Sequence, residues 1–462
     1  MFEGGRLIID KSKKLKKYFS SYWIRSAFFS VLQRSSTILF GLINYIIIVR
    51  TLPTRQMGTW ALFLVVTTIF ETTKGSLLKN AHIRYVTGSK DKIERSAVAS
   101  ASMLINSSIT LVFIILILFF SDWLSSWLHA GTDLADMLKA FIPGLIGMVL
   151  FSHLEAVQQS HLDFKGVFAG YFIRQFAFFV VIVLYTILKI PFSLPRLALY
   201  QSGSIFLGAI VIFLYSRPYL LYRFNPSTGW LKRIFGYGGY IFSSGIVANI
   251  FSNLDQVLTA RLIPNGSSVA YYNAASRISQ LIDIPSYAAA EILFPKVSMA
   301  SVEEGPGRVR YLYERMVATL LCFTIPLGLF IFIFPKLVIT IIAGSRYVAS
   351  APIIQLYVVT GMFGPMQNQA ANLLNSIGKS GLCFLLNILS LIGKLVVNCI
   401  CLYYIGFYGA AIGSMITASV AAVAWQWVLN RQIGTKLSGI LKYMLEFYRT
   451  LYGNSKKVLL KQ

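Results

Sequence analysis

The chain has little charge, little acid and few of the residues that usually carry chemistry. Only 13% of its 462 residues are charged, 17 are acidic against 42 basic, and histidine and cysteine number four each. With 56% hydrophobic residues and a mean hydropathy of +0.66, it has too little polar surface to cover a water-soluble globule of this size. Cys322, Cys383, Cys399 and Cys401 all fall in apolar stretches without zinc-type spacing, so they read as small packing residues rather than a disulfide framework. His82, His129, His153 and His161 lie in different segments, which makes a metal site or a catalytic triad improbable. There is no P-loop and no HExxH. Gly236-Tyr237-Gly238-Gly239 fails the dinucleotide pattern because Ile241 stands where a third glycine belongs. No cofactor is expected, and no enzyme chemistry.

What the chain does have is apolar length. A helix needs about 20 mostly apolar residues to cross hydrocarbon. Such segments lie near 27–49, 57–75, 97–120, 138–158, 167–189 and 196–216, and again near 237–260, 270–294, 315–335, 351–375, 380–403 and 408–430. The expected fold class is all-α and integral to the membrane, with about twelve transmembrane helices.

The net charge of +25 would suggest nucleic acid in a soluble protein, but its placement argues otherwise. Basic residues crowd alternate loops: Lys11 to Lys17, then Lys74 to Arg95, then Arg217 to Arg233, then Lys296 to Arg315, then the tail from Arg431. The loop 121–137 holds Asp122, Asp133 and Asp136 and no cation. By the positive-inside rule both termini are expected in the cytoplasm, which requires an even number of spans. Membrane lipid, not nucleic acid, is the partner this pattern implies. The tryptophans Trp23, Trp60, Trp123, Trp127, Trp230, Trp425 and Trp427 fall near span ends, where an amphipathic ring suits the headgroup layer.

Three signatures recur in order at nearly constant offset: Arg50-Thr51-Leu52-Pro53 with Arg261-Leu262-Ile263-Pro264, Trp60 with Tyr271-Tyr272, and Lys165 with Lys379. They point to a six-plus-six repeat. The expected organisation is a basic interfacial segment 1–26, an N-lobe 27–217, a cytoplasmic connector 218–236 interrupted by Pro218, Pro226 and Gly229, a C-lobe 237–430, and a basic amphipathic helix 431–462. The last, like the Lys-rich stretch 6–25, reads as an anchor on the anionic leaflet.

Several spans carry polar residues along one stripe. A charge at the centre of a spanning helix costs about 2.5–3.5 kcal/mol, so it faces a wet cavity or a partner. Ser30, Arg34, Thr37, Gly41 and Asn44 share a face of span one, as do Asn273, Arg277 and Gln280 of span eight, and Asn387, Ser390, Lys394 and Asn398 of span eleven. Span five adds Arg174. Any one of these could instead snorkel to the interface, Arg34 and Arg174 most readily, or join helices together. Taken together, cations beside amides and hydroxyls suggest a cavity for an anionic, hydroxyl-rich ligand. The candidate binding residues are Arg34, Arg174, Asn273, Arg277, Gln280, Lys394 and Asn398. Asp255 of span seven, with Asn249 and Asn253 on a nearby face, is a candidate site for a coupling ion, or equally a counter-ion for a nearby cation. The clusters His153, Glu155, Gln158, Gln159 and Gln367, Asn368, Gln369, Asn372, Asn375 read as a vestibule or as solvated helix ends. Gly409 and Gly413 form a small-xxx-small pair suited to helix packing.

The runs Arg50–Pro53, Gly58-Thr59-Trp60-Ala61-Leu62, Leu254-Asp255-Gln256-Val257-Leu258, Tyr271 through Ile278 and Leu293-Phe294-Pro295-Lys296-Val297-Ser298 resemble the polysaccharide or O-antigen flippases of the multidrug/oligosaccharidyl-lipid/polysaccharide exporter superfamily. Pro53 and Pro264 depart from that pattern, standing where relatives more often have glycine. The resemblance implies two six-helix lobes around a central cavity in a bacterial cytoplasmic membrane. It implies a polyprenyl-diphosphate-linked oligosaccharide as substrate, alternating access coupled to H⁺ or Na⁺, and polymerase and chain-length proteins as companions. Arg34 and Arg277 match positions of cavity cations, and Asp255 matches an acid early in the second lobe. The rivals are a lipid II flippase, a cation-coupled multidrug exporter of the same fold, and, from another class, a membrane polysaccharide polymerase or ligase. A drug exporter for lipophilic cations would favour an acidic interior, and a polymerase a larger outer loop than about 17 residues. A major-facilitator carrier would show a Gly-Asp-Arg pattern that the 76–96 loop lacks.

Overall fold

A computed structural model describes residues 22–459 apart from 90, 221–223, 264 and 304. The basic stretch 1–21 and Pro264 lie outside the described residues, as do all the side chains of the Leu293–Ser298 run except that of Val297. Every regular element among the described residues is helical. In chain order these are α1 (Tyr22–Thr51), α2 (Thr54–Gly88), α3 (Lys92–Trp127), α4 (Asp133–Ala140), α5 (Ile142–Ser160), α6 (Lys165–Ile187) and α7 (Leu194–Ser216). There follow α8 (Thr228–Leu262), α9 (Gly266–Glu303), α10 (Pro306–Ile333), α11 (Pro335–Ile342), α12 (Ala351–Met362), α13 (Gly364–Ser376), α14 (Ser380–Ile405), α15 (Gly409–Ile433) and α16 (Leu437–Leu459).

Among the described residues, seven helical stretches are long and apolar enough to cross a membrane, or eight if α4 and α5, bent by 41°, form one span. One stretch, Ser380–Ile433, is 54 residues long and contains both α14 and α15, separated by the turn at Gly406 (φ 74°). The protein is a multi-pass membrane protein.

Proline starts many of these helices. Pro143, Pro195, Pro306, Pro335, Pro352 and Pro365 sit in the first two positions of α5, α7, α10, α11, α12 and α13, where the missing N–H would have had no helical acceptor. Gly434, left-handed at φ 72°, ends α15. The recurring sequence signatures mark equivalent boundaries: α1 ends at Thr51 and α8 at Leu262, α6 starts at Lys165 and α14 immediately after Lys379. In each half an eight-residue helix, α4 or α11, follows the third long helix. The connector is shorter than its proline and glycine content suggested. Gly229 lies inside the first turn of α8, because Trp230 and Ile234 pack that turn against Leu78, Tyr85 and Val98.

Two compact units result: Met1–Pro53 with Phe63–Ile246, and Thr54–Leu62 with Val247–Gln462. In the first unit the core includes Leu78, Ala81, Val98, Ala101 and Ile105 between α2 and α3, and Phe151, Leu154, Ala209 and Ile212 between α5 and α7. In the second it gathers Val309, Tyr313 and Val317 of α10, Leu373 and Leu374 of α13, Trp425 and Leu429 of α15, and Ile440 of α16. Trp425 is therefore a core residue, not an interfacial one. The amphipathic tail is likewise more than a surface anchor: Lys436 N–H donates to Glu314 at 2.8 Å, Tyr448 OH to the Cys322 carbonyl at 2.9 Å, and Phe447 meets Phe323 edge-on.

Close helix approach needs glycine at a few points. Gly409 and Gly413 lie against the backbone of α14 at Cys401 and Asn398, as a small-xxx-small pair should. Gly58 abuts the Gly266 carbonyl so closely that a Cβ would overlap it, and Thr54 and Ser267 share a hydroxyl hydrogen bond of 3.1 Å beside it. Gly58→Ala is expected to cost about 1–3 kcal/mol, since a backbone carbonyl cannot rotate aside. A thermal midpoint in detergent equal to wild type would contradict this.

Candidate functional site

The second unit holds a buried polar centre built from four helices. Asp255, two turns before the end of α8, is 5% exposed, and Lys394, midway along α14, is also 5% exposed. The Lys394 ammonium lies 3.2 Å from Asp255 Oδ1, donates to the Phe251 carbonyl at 2.9 Å and sits 4.6 Å from the Phe251 ring centre. Asp255 Oδ1 also accepts from Asn398 Nδ2 at 2.6 Å and Ser414 Oγ at 2.7 Å, and Oδ2 accepts from Tyr357 OH at 2.6 Å. Four donors thus surround one carboxylate, which is what a buried charge requires.

Of these groups Phe251, Tyr357, Lys394 and Ser414 line a cavity of about 320 Å³ within the second unit, together with Ser276, Gln280, Asn368, Asn387 and Asp283, while Asp255 and Asn398 are not in its lining. The lining is rich in amides and hydroxyls. Asp283 is the acid that stripe-reading missed. It lies one step beyond Gln280 at the same three-to-four spacing that joined Asn273, Arg277 and Gln280, so the signal was present. Its Oδ1 is buried without a hydrogen-bond partner among the described residues, close to Gly364, where span ten breaks into α12 and α13. A Cβ at Gly364 would stand 2.7 Å from that oxygen, so glycine leaves the carboxylate its room.

The other expected residues of this unit separate. Gln280 is exposed at the cavity, while Arg277 is half-buried and not part of its lining. Asn273 is buried and donates to Gln256 Oε1 at 3.0 Å, a helix-to-helix contact. Asn253 donates to the Asn249 carbonyl at 2.9 Å, within its own helix, so Asp255 has Asn398, Ser414 and Tyr357 as polar partners rather than the neighbouring asparagines. Of the amide-rich cluster in span ten, Gln369 is fully buried and donates to the Ser286 carbonyl at 2.8 Å, while Asn368 faces the cavity.

In the first unit, Arg34 is exposed on α1. Arg174 is 8% exposed, lies 3.0 Å from Glu71 Oε1 and covers the Phe151 ring at 5.4 Å, so it is paired in the interior instead of snorkelling. A second pair joins Lys79 to Glu155 at 2.7 Å, with Tyr171 OH donating to the other carboxylate oxygen at 3.0 Å and Gln159 Nε2 donating at 3.1 Å. Gln158, fully buried, ties α5 to the Ile212 carbonyl and Ser216 of α7 at 3.1 and 3.0 Å. This cluster is interior structure, not a solvated helix end. Each of these interior cations, Lys79, Arg174 and Lys394, has a carboxylate.

Over nearly the whole length, the chain shares its fold with the lipid II flippase MurJ in an inward closed conformation (TM-score 0.75, 14% identity, 92% of each chain). It also shares it with an inward-facing multidrug resistance MATE transporter of the MOP superfamily (TM-score 0.76, 16% identity, 89% of this chain and 99% of that one). In sequence it is 21% identical over 212 residues to the "Probable low-salt glycan biosynthesis flippase Agl15" of Haloferax volcanii, and 24% identical over 233 residues to the "Teichuronic acid biosynthesis protein TuaB" of Bacillus subtilis. Those alignments cover 46% and 49% of this chain and 45% and 44% of the relatives, so the chain spans less than half the length of the curated relatives it matches. A longer match is to the family described as "Polysaccharide biosynthesis protein", over residues 47–352. Because that stretch runs from the end of α1 to the start of α12 and takes in Asp255, Arg277 and Asp283, the chain belongs to the polysaccharide biosynthesis protein family.

Proposed function

We propose that this protein is a flippase that carries an undecaprenyl-diphosphate-linked oligosaccharide from the inner to the outer leaflet of a bacterial cytoplasmic membrane, by alternating access, for surface polysaccharide synthesis. Family membership and the transporter fold support the class. The observation that carries the substrate reading is the buried Lys394 at the wall of a cavity lined by amides and hydroxyls. Diphosphate or acidic sugar can compete with Asp255 for that ammonium, while sugar hydroxyls meet Gln280, Asn368 and Asn387. Arg277 adds positive potential within the same unit, and Asn273 and Asn398 hold α9 and α14, which bear Arg277 and Lys394.

In this reading the coupling ion enters through the same pair. When an anionic headgroup takes Lys394, Asp255 loses its cation and becomes the place where H⁺ or Na⁺ is favoured; once the headgroup leaves, Lys394 returns and expels the ion. Asn249 and Asn253 act by shaping α8. Polymerase and chain-length proteins would take the product on the outer side.

The test is leaflet-specific detection of the lipid-linked sugar in cells with and without the protein. Sugar confined to the inner leaflet in its absence is expected. Equal outer-leaflet labelling in both strains would refute the proposal, and a block in lipid II instead would transfer the protein to the rival pathway.

A further inference from the structure

The first unit contains a second cavity, of opposite character. It measures about 440 Å³ and is bounded by α2, α3, α5, α7 and the segment that follows α7. Apart from its serines and the histidines His82, His153 and His161, its walls are largely Val86, Met103, Leu154, Val157, Phe206 and similar side chains. Leu150, Ile210, Phe213 and Phe224, also in its lining, are 42%, 54%, 42% and 65% exposed, so it opens sideways onto surface that hydrocarbon would cover.

One end of this cavity is polar. Among the described residues, Arg95, at the start of α3, is the sole Lys or Arg in the lining, and no carboxylate lines it. Its Nε donates to the Ser89 carbonyl at 3.3 Å, and it makes no ion pair among the described residues. His161 is nearby, its Nδ1 on the Val157 carbonyl at 2.9 Å and its ring stacked on Tyr219 at 4.6 Å. Asp163, two residues after His161, already accepts from Tyr219 OH at 3.2 Å and Lys165 N–H at 3.1 Å, and Asp91 and Glu94, beside Arg95 along the chain, are not in the lining. The basic loops assign this end to the cytoplasm.

We propose that this cavity is a binding site for an anionic glycerophospholipid of the cytoplasmic leaflet, one acyl chain lying in the apolar trough and the phosphate on Arg95. Charge complementarity selects the class: a guanidinium without a carboxylate, at the headgroup end of a lateral hydrophobic slot, suits a phosphate joined to a hydrocarbon chain. The site is separate from the Lys394 cavity, and its test does not depend on transport.

Native mass spectrometry of the full chain in mild detergent, after adding dioleoyl-phosphatidylglycerol, dioleoyl-phosphatidylethanolamine or inorganic phosphate, reads it directly. One phosphatidylglycerol is expected to be retained, with a raised thermal midpoint that neither of the others produces. Arg95→Gln should cut retention by about tenfold, the loss of one charge-assisted contact. Arg95→Lys should keep most of it, and Ala99→Phe, which fills the slot while keeping the cation, should also abolish it. Equal retention of both lipids, unchanged retention in Arg95→Gln, the same stabilisation by inorganic phosphate, or preferential capture of a polyprenyl diphosphate would each overturn the assignment.

Discussion

Asp255→Ala is expected to lower stability by about 3–5 kcal/mol, because it strands the Lys394 ammonium in a buried site with only the Phe251 carbonyl and ring for company. It also leaves Tyr357, Asn398 and Ser414 without the acceptor they now share. The readout is the thermal midpoint of purified protein in detergent. Adding Lys394→Met to the same chain removes the stranded charge and should recover most of the loss, since an apolar replacement of both partners is often neutral. If the double variant is as unstable as Asp255→Ala alone, the pair is not an energetic unit.

The second large effect concerns transport. Neutralising Arg277 and Lys394 together is the variant the polar stripes point to, with export lost and protein level unchanged as its simplest expected outcome. The level part does not follow once Lys394 has a buried counter-ion, because Lys394→Gln by itself leaves Asp255 uncompensated. Asp255→Asn with Lys394→Gln separates folding from function: the amides keep hydrogen bonds and volume while both charges vanish. Normal protein level with export lost by an order of magnitude or more is expected, because anion binding in a dry site rests on the charge. Normal export in that double variant would remove Lys394 and Asp255 from the mechanism. Arg277→Gln in the same background then measures what that half-buried guanidinium adds.

Much of this was written in residue order. Apolar length located the helices, and proline at the first turns set where α5, α7, α10 and α13 begin. Three-to-four spacing put Lys394 and Asn398 on one face of α14. The same spacing, carried one step further, would have found Asp283. Hydropathy was weaker at telling a core face from a lipid face, since both are apolar: Trp425 looked interfacial and is core, and Ile440 of the amphipathic tail packs against α10.

By itself the sequence determined that the chain is helical and membrane-embedded, where each helix can start, and which polar residues share a stripe, because backbone satisfaction in hydrocarbon and helical periodicity are local constraints. Only tertiary structure decided which stripe meets which. Lys394 finds Asp255, Arg174 finds Glu71 and Lys79 finds Glu155 across long loops of chain, and periodicity carries no information about partners. Burial charges heavily for an unpaired ion, and it is the assembled fold that gave two of the expected cavity cations, Arg174 and Lys394, a carboxylate each.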